Sequence, residues 1–300
     1  MRICEYTFIH SAFKILRSKL WIMEEIIVSQ GWLYVSVISA LSFQAVNKSV
    51  ALVLPAPRKF QDQWKKVWLW ENICTSFVHS FLSALLTVYS IYKTPSMLKD
   101  MIDSWNILAY YTLALSIGYF IYDFINLIIN DREKGLCIMI HHVLVIFIFY
   151  ITVSNKKYIP FALCALLMEI NSVFLHTRRL MHMSDINPKG LAFRMNCILL
   201  TTTFVIFRLI LCAWMIHFFV MNGHTVSQLH LGFGIFGLCI VIPQNLLLLN
   251  QVWLSDAKRN TQLSQAEKEK LAVRDNNANN LNGLEKLKHF LQMTIARSAE

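Results

Sequence analysis

The sequence predicts an all-α, polytopic membrane protein of about seven transmembrane helices, and three observations carry that prediction. Of its 300 residues 56% are hydrophobic and only 15% charged, with a mean hydropathy of +0.47, which leaves too little polar surface for a soluble domain. Seven apolar runs approach or exceed the roughly 18–20 residues that a spanning helix needs. Basic residues gather in alternate connections between those runs, as they do when cytosolic loops hold a chain in one orientation.

The runs are 32–54, interrupted by Lys48, then 73–91, 108–129, 136–153, 158–175, 197–219 and 229–253. The fourth and fifth are short. Four connections carry the basic residues: Arg58, Lys59, Lys65 and Lys66 after the first run, Arg132 and Lys134 after the third, Arg178, Arg179, Lys189 and Arg194 after the fifth, and Lys258 and Arg259 after the seventh. The opposite side has Arg2, Lys14, Arg17 and Lys19 before the first run, then Lys93, Lys99, Lys156 and Lys157, and no basic residue from Val220 to Gln228. The expected topology puts the C-terminus in the cytosol and the N-terminus outside. A net charge of +10 thus reads as a topology signal, and no nucleic-acid partner is expected.

Residues 1–31 form a basic, amphipathic N-terminal segment without the uninterrupted apolar core and cleavage site of a signal peptide. Residues 32–69 hold the first transmembrane helix and a basic loop, and residues 255–300 form a polar cytosolic tail, expected to be mostly disordered. Within that tail Leu281, Leu284, Leu287 and Leu291 have the spacing of a short amphipathic helix. The seven cysteines are odd in number and mostly inside the runs, so no disulfide framework is expected.

Ionisable groups in hydrocarbon cost at least a few kcal/mol each, so they turn toward a bundle interior and pair there. Here they are aligned. Asn72, Ser76, His79, Ser83 and Thr87 share one face of the second span, and Ser116, Tyr119, Asp123, Asn126 and Asn130 share one face of the third. Glu169, Ser172, His176 and Arg179 do the same in the fifth. The cavity-lining candidates are therefore His79, Tyr119, Asp123, His141, His142, Glu169, Asn171 and Arg208. Counted at about 1.5 Å per residue, Asp123 and His141 lie at similar depths near the cytosolic end, and Glu169 and Arg208 both lie near mid-membrane.

Two pairings follow from those depths. Glu169 and Arg208 are expected to form an ion pair, and Asp123 is expected to meet one of the two histidines, which point about 100° apart on their helix. An Asp–His contact has two readings. It supplies a general base, with the carboxylate fixing the tautomer, or it is a buried lock between two helices. The catalytic candidates are His141, His142 and Asp123. No metal site and no cofactor are expected, His79 being the only further ligand at that depth. In the seventh span Gly232, Gly234 and Gly237 allow close helix approach, and Pro243 predicts a kink.

From Trp70 onward the chain resembles a TLC domain, the domain shared by the TRAM, Lag and CLN8 membrane proteins, over residues 70–254. The resemblance rests on Val78-His79-Ser80, Gly118-Tyr119-Phe120-x-x-Asp123, His141-His142, Met168-Glu169-x-Asn171 with His176-x-Arg178, and Phe207-Arg208. It is most similar to the branch described as membrane-fluidity regulators. That implies six helices in a ring with the first span outside it, and a plasma-membrane protein that limits incorporation of polyunsaturated acyl chains into phospholipids. Its implied partners are membrane lipids, phospholipids or acyl-lipid intermediates; protein partners stay unknown, and the endoplasmic reticulum is the alternative location. Ceramide synthases of the wider family carry a His-His pair and, in a later span, a His-Asp-x-x-Asp stretch. This chain has the pair but reads Leu167-Met168-Glu169-Ile170-Asn171-Ser172-Val173-Phe174 in the later span, without an aspartate. A lipid acyltransferase with Glu169 as the carboxylate is therefore the alternative, and a lipid transporter or channel regulator is a third.

Overall fold

The computed structural model describes residues 30–133 and 135–297, and every regular element among them is a helix. The N-terminal segment, apart from its last two residues, lies outside the described residues, as does Cys4. Seven helical segments are long and apolar enough to cross a membrane, which makes this an all-α multi-pass membrane protein. Six cysteines are described, all as free thiols.

Helix α1 (Gln30–Val53) leads through a short 3-10 turn (Arg58–Phe60) into α2 (Trp64–Lys93). α2 begins nine residues before the apolar run that announced it. Lys65, Lys66, Glu71 and Asn72 lower local hydropathy without opposing a helix, so hydropathy locates the hydrocarbon and not the helix end. Thr94 and Pro95 stop α2. The connection that follows is held by Asp100, whose carboxylate accepts from the backbone N–H groups of Asp103 and Ile102, both at 3.0 Å. Those bonds hold its carboxyl below the usual range.

α3 (Ile107–Asn130) starts on an Asn106 cap that accepts from the Ala109 N–H at 2.7 Å. α4 (Leu136–Asn155) ends in a tight turn where Lys156 and Tyr158 take left-handed backbone angles, φ 51° and 62°. The fifth span is two pieces, α5 (Ile159–Leu166) and α6 (Glu169–Met183), with a turn at Leu167 and Met168. The sixth is three: α7 (Leu191–Phe204), a π-helical turn (Val205–Ile210) and α8 (Leu211–Asn222). α9 (Gln228–Arg297) contains Pro243.

The chain divides into two units, residues 1–243 and 244–300. In the first, α3 packs between α2 and α4, α2 packs on α6, and α6 packs on α7. The circuit closes through the first part of α9, where Gly234 lies under the Phe219 ring of α8 and Phe233 meets Phe147 of α4 edge-on at 5.0 Å. Six spans thus form a ring. α1 stands outside it against α3, with Ser36 Oγ donating to the Ala114 carbonyl (2.8 Å) and Ser39 Oγ to the Leu115 carbonyl (2.7 Å). Gly118 makes that approach possible, because a Cβ there would meet the Ser36 carbonyl at 2.2 Å.

The two ends of the interior differ. α5 packs against α2, α3 and α4, and its Ile159 and Leu163 are fully buried with Tyr110, Leu113, Ile117 and Val153 in one apolar core. That core closes the end next to the α4–α5 turn. The ionisable groups lie toward the other end, although the α2 stripe continues through Ser83 and Thr87, both fully buried.

The second unit corrects one expectation. The tail expected as mostly disordered is helical from Ser255 through Arg297. Its composition gave too little apolar surface for a core, yet it contains a single glycine, Gly283, and no proline. Its Ala, Leu, Lys, Glu and Gln residues have good intrinsic helix propensity, so a helix forms there without a core to bury.

Candidate functional site

The stripes of α2 and α3 face each other. His79, fully buried, stacks on Tyr119 with ring centroids 3.7 Å apart and planes 8° from parallel, and its Nε2 lies 3.5 Å from Ser116 Oγ. Two turns toward the cytosolic end, Asn126 Nδ2 donates to Asn72 Oδ1 at 2.7 Å and to Tyr122 Oη at 3.3 Å, while Trp68 Nε1 donates to Asn126 Oδ1 at 3.1 Å. Asn72 and Asn126 thus satisfy one another across the helix pair, as polar groups in a lipid environment require, whereas Nδ1 of His79 is buried without a hydrogen bond among the described residues.

α4 brings the histidine pair to this wall. His142 turns inward and is buried, with Nδ1 3.5 Å from Asp123 Oδ2. His141 is half-buried and meets Phe120 edge-on at 6.4 Å. The sequence left open which histidine faces Asp123; the structure selects His142. Neither Asp123 Oδ1 nor His142 Nδ1 makes a hydrogen bond to a described side chain, so both atoms are buried polar groups with unused capacity.

The second lobe is built on α6. Ser80 Oγ donates to Glu169 Oε2 at 2.5 Å. Asn171, fully buried, donates through Nδ2 to the Leu200 carbonyl (2.9 Å) and to Thr203 Oγ1 (3.0 Å) on α7. The Arg208 guanidinium then donates through Nε to Asn171 Oδ1 (2.7 Å) and through Nη2 to Ser172 Oγ (3.0 Å). Arg208 sits on the π-helical turn, a local rewinding that often marks functional positions in helices. His79 joins the lobes, lying within electrostatic range of both His142 and His176.

Arg208 lies within electrostatic range of Glu169, as expected, and its guanidinium also bonds to neutral groups. The Glu169 carboxylate accepts from Ser80, while Arg208 donates to Asn171 and Ser172. Equal depth brought Glu169 and Arg208 into one region, where neutral amide and hydroxyl groups of the same helix also bond the guanidinium. Depth counting could not show this. Ser80 and Thr203 were missed as site residues because single hydroxyls are common in spanning helices and stand out only when a partner is seen. Among the described residues no three His, Cys, Asp or Glu side chains converge closely enough to hold a metal ion.

A family profile described as the TLC domain matches residues 69–257. TLC domain-containing protein 2 of Danio rerio is 34% identical over 234 residues, 78% of this chain and 93% of its own length. TLC domain-containing protein 1 of Gallus gallus is 28% identical over 217 residues, 72% of this chain and 81% of its own, and TLC domain-containing protein 2 of Homo sapiens is 30% identical over 205 residues, 68% and 76%. No solved structure matches the chain. With the domain profile covering six spans and the inward-facing residues falling inside it, this chain belongs to the TLC-domain family.

Proposed function

We propose that this protein regulates the acyl composition of membrane phospholipids, limiting the incorporation of polyunsaturated chains and so setting membrane fluidity, and that it does so at the plasma membrane. Family membership implies a role connected with membrane lipid, and the resemblance to the fluidity-regulator branch narrows it. The observation that carries the reading is the divided interior: buried ionisable groups with unused hydrogen-bonding capacity at one end, a packed apolar core at the other. An amphipathic ligand suits such a division. The polar lobe, with Asp123, His142, Glu169 and Arg208, takes the headgroup or the activated end of an acyl-carrying intermediate, and the apolar flank takes the chain. The test is lipid profiling of cells with and without the protein after a polyunsaturated fatty acid is supplied. A change confined to phospholipid acyl chains supports the reading; a change confined to ceramides overturns it.

A second reading, lipid acyltransferase, draws on one observation, the 3.5 Å approach of His142 to Asp123. A carboxylate beside an imidazole is the arrangement of a general base. The two readings separate in purified protein given acyl-CoA with a sphingoid base or a lysophospholipid. Regulation without catalysis gives no His142-dependent product. Catalysis gives turnover that falls about 10²–10⁴-fold in His142→Gln, with expression and melting unchanged.

A further inference from the structure

The connection between α1 and α2 and the first turn of α2, together one basic loop, carry Arg58, Lys59, Lys65 and Lys66 against one carboxylate, Asp62. Such a run is usually a solvated loop, but this one is built. Trp70 Nε1 donates to the Leu54 carbonyl at 2.9 Å, and Ala56 is buried with Trp70 and Cys74 against Leu180 and Met183. Pro55 and Pro57 restrict the backbone, and turns close from Phe60 N–H to the Pro57 carbonyl and from Gln63 N–H to the Phe60 carbonyl, each at 2.8 Å. The ammonium groups of Lys59 and Lys66 both lie over the Phe60 ring, 4.7 and 4.8 Å from its centroid, and Lys65 lies 5.5 Å over Trp64. An aromatic face positions a cation without cancelling its charge. The loop therefore holds three lysines in place and leaves the charge of Lys65 and Lys66 available, while Lys59 also pairs with Asp185.

We infer that this loop is a docking site for the phosphate headgroups of anionic phospholipids, with Lys59, Lys65 and Lys66 as the ligands and Phe60 and Trp64 as their anchors. Position identifies the occupant. The loop joins the ends of two membrane-spanning helices, so its neighbours are headgroups, and Trp64 is 62% exposed where tryptophan favours the interface. The basic connections assign this end to the cytosol, where the anionic lipids of a membrane gather. The site also touches the rest of the protein. Lys59 pairs with Asp185, in the connection that follows α6, and α6 carries Glu169, Asn171 and Ser172. A headgroup phosphate competes with Asp185 for Lys59, so the charge of the leaflet bears on the helix that builds half of the candidate site.

The test uses the full chain in nanodiscs of phosphatidylcholine with or without phosphatidylserine, and counts retained lipids by native mass spectrometry. Near a membrane surface each lysine contributes about fivefold in affinity, so the triple variant Lys59→Gln, Lys65→Gln, Lys66→Gln should lose preferential phosphatidylserine retention on the order of 100-fold. A control triple at the other end of the spans, Lys93→Gln, Lys99→Gln, Lys156→Gln, removes as many charges, two of them also over rings, and should lose less, because Lys59 and Lys66 converge on the one Phe60 ring. Lys66→Gln alone, which breaks no ion pair, should weaken retention about fivefold and serves if the triple variant fails to fold. Equal loss in both triples overturns the proposal, as does undiminished retention in Lys66→Gln. Displacement by millimolar inorganic phosphate overturns it too, because the loop would then be a site for a free anion.

Discussion

The α2–α3 pair and the Leu191–Asn222 span are alike in hydropathy class and unlike in everything else. In α2 and α3, 56% and 61% of the most apolar window is buried inside the protein; in the Leu191–Asn222 span 17% is. The first two carry polar stripes that meet one another, whereas the third turns mostly to lipid and is fastened inward where Asn171, Ser172 and Arg208 meet. Lipid chains are as apolar as leucine, so apolar surface alone gives helices no reason to associate in a bilayer. Polar satisfaction and close approach of small residues do. The contrast therefore locates both the determinants of the fold and the chemistry on the same faces.

That contrast can be broken at its fastening first. Arg208→Leu removes two charge-assisted hydrogen bonds and should cost about 3–5 kcal/mol, seen as a fall in melting temperature of purified protein and in cellular abundance. Glu169→Gln, whose partner is the Ser80 hydroxyl, should cost much less. Equal losses in the two variants would mean that the charge interaction with Glu169, and not the bonds to Asn171 and Ser172, holds Arg208 in place.

Close approach is tested next. Gly118→Ala places a methyl group on the Ser36 carbonyl and should cost about 1–3 kcal/mol, with α1 displaced from α3. Gly232→Ala meets nothing within 4 Å, and replacing a helical glycine should leave stability unchanged or raised by about 1 kcal/mol. Reversal of that order, read in thermal melts, would remove Gly118 as the contact point. Ser36→Ala and Ser39→Ala should each cost only about 0.6 kcal/mol, the usual worth of a hydrogen bond between membrane helices. Smallest in energy, and without effect on melting, is an epitope tag: placed after Ser255 it should stay hidden from antibody on unpermeabilised cells, and placed before Trp32 it should be reached. Staining of the C-terminal tag in intact cells would invert the assignment of the two ends.

Much of this architecture was legible in the sequence, for identifiable reasons. Seven spans follow from hydropathy, and the inward faces of α2 and α3 follow from polar residues at steps of three and four, because a helix in lipid has only one place to put them. Asp123 and a histidine met as depth required, although choosing His142 over His141 needed the helix rotation that the structure supplies. Three features were hidden. The bonds from Arg208 to Asn171 and Ser172, added to its charge interaction with Glu169, depend on side-chain geometry that depth cannot rank. Of the glycines in the seventh span, Gly234 and Gly237 make close approaches and Gly232 does not, while the equally close approach at Gly118 depends on the facing residues Ser36 and Ser39 from a different helix. The π-helical turn at Val205–Ile210 has no signature in hydropathy at all.

The central proposal is that the polar lobe of the helix ring handles a lipid acyl group in regulating phospholipid composition. The most direct measurement is the polyunsaturated fraction of phospholipids in cells fed a polyunsaturated fatty acid and expressing no protein, the wild type, Asp123→Asn or Glu169→Gln, at matched abundance and melting temperature. The expected result is a lowered polyunsaturated fraction with the wild type, and loss of at least half of that effect in each variant. A wild-type effect left intact in both variants, or none at all in phospholipids, would contradict it.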